Sequence, residues 1–173
     1  LSAKAIDGFI VAEPFCGKAE MDGYGRVLYY AKDVWPNYIS CCLVVHEDLI
    51  RDKPDVVRDL VRGIIASGAW AQKNRGDAAR LVSPYFGQNE KLMNYVLTQP
   101  ADRVTFVNLN PTDAEMQKIM DMGISLNFLK TRTPLSELLD RSFIGDDIEP
   151  AKIDLSRMEE IIRGHDSVMT KYD

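Results

Sequence analysis

The sequence predicts a helix-rich α/β protein. Residues 6–12 (Ile-Asp-Gly-Phe-Ile-Val-Ala) form an apolar run that is too short for a helix and breaks on Glu13-Pro14, so it reads as a buried strand feeding a helix. Residues 26–30 and 39–46 are further short apolar runs and read as two more strands, the latter with the character of a core strand. Beyond residue 48 the apolar positions recur at helical spacing behind capping residues and prolines.

Each element has a local reason. Pro14 has no N–H and a fixed φ, which suits the first turn of a helix over 15–21 ending near Asp22-Gly23. Free N–H groups of such a helix lie at the carboxyl end of the preceding strand. Open α/β sheets hold ligands there, and helix N-termini favour anions. Pro36-Asn37 marks a loop over 33–38. Asp52, Pro54 and Asp55 open the clearest helix, which runs to about Lys73-Asn74 with Val57, Leu60, Val61 and Ile64 on one apolar face. A short helix over 77–82 ends on Ser83-Pro84, and another over 89–98 stops before Pro100. Thr112 and Glu115 form a capping box, followed by the stripe Met116, Ile119 and Met120 and a stop at Gly123. Thr133-Pro134 opens a helix that turns Leu135, Leu138, Leu139 and Phe143 inward. Residues 145–150 read as an acidic linker. Asp154 then caps a last amphipathic helix built on Leu155, Met158, Ile161 and Ile162.

Composition narrows the function. The 173 residues suffice for one globular domain, which at this size buries roughly 70% of its unfolded surface. A net charge of −5 without a basic patch argues against nucleic acid and anionic membranes as partners. Cys16, Cys41 and Cys42 are odd in number and two are adjacent, so they form no disulfide framework and read as small buried hydrophobes. His46 and His165 stand in no metal-ligand pattern, and His46 reads as a satisfied surface residue. Asp146-Asp147 lacks the alternating oxygens of a calcium loop. With no Gly-rich phosphate loop, no Gly-x-Ser-x-Gly elbow and no Cys–His dyad, we assign no catalytic residue, no metal and no cofactor.

The order of several segments carries a resemblance. Ile-Asp-Gly (6–8) with Ala-Glu-Pro-Phe (12–15) is followed by Ala-Lys-Asp-Val-Trp-Pro-Asn (31–37). Cys-Cys-Leu-Val-Val (41–45) comes next, ahead of a Lys-Pro-Asp helix start (53–55). Together they resemble the solute-binding proteins of ABC importers of the nitrate/sulfonate/taurine (NMT1-like) type, which includes pyrimidine-precursor binders. The likeness runs from about Leu1 to about Ile144. It implies the C-terminal part of a two-lobed, type II periplasmic-binding-protein fold that closes on a solute between its lobes. On that alignment residues 1–40 are the remainder of the second lobe and the hinge. Residues 41–144 are the C-terminal part of the first lobe, and 145–173 are a linker and a C-terminal helix.

Six residues are candidates for the ligand site. Glu13 sits at the strand-to-helix corner, where its carboxylate either touches ligand or only complements the helix N-terminus. Beside it, the backbone from Pro14 to Gly17 offers N–H groups, and Phe15 lies either on the cleft wall or in the core. Trp35 and Tyr38 stack on ligand or pack their own loop. At Cys41 the chain departs from its relatives. Nitrate binders carry a lysine just before the third strand, where this chain has Ser40-Cys41. A desolvated anion needs a charge or several donors, so this departure favours a neutral, zwitterionic or bulkier ligand.

The resemblance therefore implies a binding module outside the cytoplasm, not an enzyme. Its partners are a small solute, the importer's membrane permease, and either a missing N-terminal lobe or a second copy of the chain. Two rivals share the fold: a ligand-sensing input domain of a signalling protein, and a thiamin-pyrimidine synthase, which needs a reactive histidine in the cleft.

Overall fold

The computed structural model describes residues 1–145. The acidic linker, the helix expected after Asp154, and His165 lie outside the described residues. Eight helices are present in that range: α1 (Phe15–Met21), α2 (Ala31–Val34), α3 (Glu47–Asp52), α4 (Pro54–Lys73), α5 (Arg75–Val82), α6 (Glu90–Thr98), α7 (Asp113–Ser125) and α8 (Leu135–Leu138).

The expected strands over 6–12, 26–30 and 39–46 do not form among the described residues, so the α/β expectation becomes helix-rich without a sheet. The cause is the absence of a partner. A strand is stable only when its N–H and C=O groups enter a ladder. Among the described residues no backbone–backbone hydrogen bond joins 6–10 or 39–45 to another segment. Ile10 and Val44 stand in solvent, 101% and 88% exposed. Cys41 and Cys42, expected to be small core residues, are exposed for the same reason.

The helices follow their local signals more closely. Thr112 Oγ1 accepts from Glu115 N at 3.3 Å and Glu115 Oε2 accepts from Thr112 N at 2.8 Å, which completes the capping box of α7. Asn89 Oδ1 accepts from Leu92 N at 2.8 Å and caps α6. His46 has a role the sequence did not suggest: its Nδ1 accepts from Asp48 N at 3.2 Å and caps the separate helix α3.

Other details depart from expectation. α7 continues through Gly123 to Ser125, because Gly123 serves a close approach instead of a stop. A Cβ there would lie 2.9 Å from Leu129 Cδ1, and the Gly123 carbonyl accepts from both Phe128 N and Leu129 N. On α4 the buried residues are Val57, Ala66 and Gly68, whereas Leu60 and Ile64 face solvent at 43% and 41% exposure. Val57 is buried and Val61 half-buried as expected, so periodicity placed only part of the inward face. α8 is a single turn, from which Leu138 points outward, while Phe143 beyond it is buried as expected.

The chain divides into two compact units. The first holds Leu1–Tyr30 and Ala69–Phe106, the second Ala31–Gly68 and residues 107–145. In the first, α5 and α6 pack together through Ala78, Ala79, Leu92, Met93, Val96 and Leu97, with α1 against α6. Arg75 ties the segment after α6 to this core. Its Nη1 donates to the carbonyls of Leu97 (2.6 Å) and Val104 (2.8 Å), and its Nη2 donates to Gln72 Oε1 (2.9 Å). In the second unit α7 packs against α8, and Arg141 Nη2 donates to the Pro111 carbonyl at 2.7 Å.

Candidate functional site

The corner Glu13-Pro14-Phe15 belongs to the first unit and opens α1. Pro14 is fully buried, which fixes where the helix starts, and Phe15 is about half exposed. Glu13 Oε2 accepts from Gly17 N at 3.0 Å and so occupies an N–H at the helix start. That bond is the helix-terminus role open to Glu13 from the sequence.

The other oxygen of Glu13 faces Arg103, which the sequence did not single out. Glu13 Oε1 lies 3.4 Å from Arg103 Nη1. Arg103 Nη2 donates to Glu20 Oε2 and, at 2.9 Å, to the Tyr30 hydroxyl. The guanidinium lies 5.3 Å from the Tyr30 ring centroid and 4.9 Å from that of Tyr95, so two aromatic faces enclose it. Its side chain is 1% exposed, and Nε and Nη1 are buried without a hydrogen-bond partner among the described residues. Burial pulls this cation toward neutrality. The Glu20 and Tyr30 hydrogen bonds and the charges of Glu13 and Glu20 outweigh it and hold the pKa above the ordinary arginine value. Arg103 precedes the apolar stretch Val104-Thr105-Phe106-Val107. A charge leading into such a run was the available signal, but its partners lie too far away in sequence to be named from it.

Cys16 Sγ donates to the Val11 carbonyl at 3.2 Å. Burial, followed by the Glu13 charge, raises the pKa of this thiol.

Trp35, Tyr38 and Cys41 belong to the second unit. α2 ends at Val34, and Asn37 takes a left-handed φ of 58°, a conformation that asparagine tolerates. The turn sets Tyr38 edge-on to Trp35, with ring centroids 5.9 Å apart and planes at 61°. Lys118, from the middle of α7, places Nζ 4.7 Å from the Trp35 ring centroid. Glu115 stands one turn earlier on the same helix. Its pKa is lowered first by the backbone N–H of Thr112, then by the Thr112 hydroxyl and Asn37. Cys41 stands apart from the rings, its Sγ 3.8 Å from Ser40 Oγ. The sequence thus found the aromatic pair but not the cation upon it.

An open polar depression of about 550 Å³ lies where α4 meets α5, lined by residues that include Lys73, Arg75, Asp77, Arg80 and Glu90. Its charges are mixed and Arg75 is committed to main-chain carbonyls, so nothing in it selects a ligand class. Among the described residues no group of three His, Cys, Asp or Glu side chains is placed to hold a metal.

Comparison with known proteins bears on the N-terminal half. No curated protein and no solved structure matches the chain. Residues 1–83, which hold both the Glu13 corner and the Trp35 loop, match the model of the NMT1-like family.

Proposed function

We propose that this chain is part of the solute-binding component of an ABC importer of the nitrate/sulfonate/taurine class. The match of residues 1–83 to the NMT1-like family carries this reading. The same residues hold the corner and loop motifs on which the resemblance rests. On this reading the protein works outside the cytoplasm. It holds a small solute between two lobes, with residues 1–40 in the second lobe and 41–144 in the first. Ligand touches both lobes only in the closed form, so binding shifts the population toward closure. The permease takes the solute from that closed form, and no bond in the solute is made or broken. Glu13, Phe15, Trp35, Tyr38 and Cys41 are the residues we propose for ligand contact, with the buried Pro14 fixing the corner that presents Glu13 and Phe15. Among the described residues no helix is long and apolar enough to cross a membrane.

A thermal-shift screen against nitrate, taurine, alkanesulfonates, bicarbonate and pyrimidines tests the reading, because a ligand that binds only the folded state stabilises it by mass action. At a hundredfold excess over Kd the gain is about 2.7 kcal/mol. Stabilisation by at least one member, recovered chemically unchanged, is the expected result. No stabilisation by any member, or recovery of an altered product, overturns it.

A further inference from the structure

We propose that Lys118 is the charge anchor of a site for a flat organic monoanion, a carboxylate or sulfonate on an aromatic body, with Trp35 and Tyr38 as its apolar wall. This inference deepens the solute-binding reading and rests on it. No Lys or Arg stands between Trp35 and His46 in the sequence. Tertiary structure supplies a cation to the same loop from elsewhere, with the Lys118 ammonium 4.7 Å from the Trp35 ring centroid.

Three features make this a built arrangement. Glu115, the acid of the capping box at the start of α7, lies near enough to Asn37 for that side chain to help lower its pKa. Lys118 follows Glu115 by about one turn and so stands on the same face of α7. Tyr38, about half exposed, stands edge-on to Trp35 and extends the aromatic surface beside the charge.

Charge pairing distinguishes Lys118 from most arginines of the same unit. Arg51 pairs with Asp48 and Asp52, Arg58 with Asp55, Arg132 with Asp121 and Arg141 with Asp113. Lys118 pairs with no carboxylate among the described residues, and its contact is the indole face. An ammonium on an aromatic face has shed part of its water and still has donors to give. Its best complement is an acid oxygen whose carbon skeleton lies against the neighbouring ring. Nitrate has no such skeleton and uses only half of the arrangement. A dianion meets the carboxylate of Glu115 close by, so a single negative charge fits better.

Tryptophan emission tests the proposal. The protein is titrated at constant ionic strength with benzenesulfonate, benzoate, nitrate and, as the neutral control, benzyl alcohol. Benzenesulfonate, benzoate or both should change the emission saturably, and Trp35→Phe should abolish the change. Lys118→Gln should weaken binding about tenfold or more, and Lys118→Arg should largely restore it. Nitrate and benzyl alcohol should give no saturable change. Calorimetry on Lys118→Gln and Tyr38→Ala, both exposed positions that leave the core intact, repeats the measurement without relying on Trp35. Absence of saturable binding by both aromatic acids, or binding unaffected by Lys118→Gln, overturns the proposal. If the solute screen yields a ligand that Lys118→Gln leaves untouched, the anchor falls and the solute-binding reading stands. If the screen yields nothing, that reading falls, while the Trp35 titration still reports on Lys118.

Discussion

Arg103 pairs with Glu20 across 83 residues of sequence, and the pair draws in Glu13 and Tyr30. The guanidinium is buried while the carboxylates keep about a fifth of their side-chain surface exposed. The arginine therefore carries most of the desolvation, and the two acids make its burial tolerable.

Replacing Arg103 alone should be costly. Arg103→Met leaves Glu13 and Glu20 facing each other without a cation, and losing one partner of a buried ionic cluster typically costs about 3–5 kcal/mol. Exchanging all three for Met, Gln and Gln should recover a large part of that loss. Arg103→Lys should rescue little, since a lysine has neither the planar fork nor the stacking surface. Urea midpoints of the four proteins check this; an Arg103→Met protein as stable as the parent would show that the cluster contributes nothing.

Gly17 should resist substitution. A Cβ at this position would lie 2.2 Å from Val96 Cγ1 and 3.0 Å from Arg103 Nη1. Gly17→Ala is expected to destabilise by about 1–3 kcal/mol through overpacking. Gly63, inside α4, provides the contrast, since an added Cβ meets nothing within 4 Å. There Gly→Ala should stabilise by about 0.5–1 kcal/mol through helix propensity. Equal effects at the two sites in denaturant unfolding would contradict the packing of α1 on α6.

The three thiols should react at different rates. Burial and the Glu13 charge raise the pKa of Cys16, which lowers its thiolate fraction, whereas Cys41 and Cys42 are exposed. Iodoacetamide at neutral pH should modify Cys41 and Cys42 first and Cys16 last, as read by peptide mass spectrometry. Early labelling of Cys16 in the folded protein would sink this expectation.

Acid should loosen the start of α7. The folded pKa of Glu115 is lowered, so its contribution to stability is fully present above the unfolded value of about 4.3 and is lost as pH falls through the lower folded value. The parent should lose more stability between pH 6 and pH 3 than Glu115→Gln, which has no carboxylate to protonate. Urea midpoints at the two pH values measure the difference, and identical slopes for both proteins would exclude the linkage.

What the sequence by itself determined was local. Pro14 and Asp22 bound α1, Asn89 caps α6, and Thr112 with Glu115 caps α7, because each of these signals acts within one or two turns of the chain. The Trp35–Tyr38 pair was legible for the same reason, lying three residues apart around a Pro-Asn turn. Only the tertiary structure decided the rest. Residues 6–12 and 39–46 have strand composition, yet a strand exists only with a partner and none is present among the described residues. Arg103 and Lys118 look like ordinary surface cations in the sequence. Folding buried one between Tyr30 and Tyr95 and set the other on Trp35, because a charge depends on the distant groups that folding brings within a few ångströms of it.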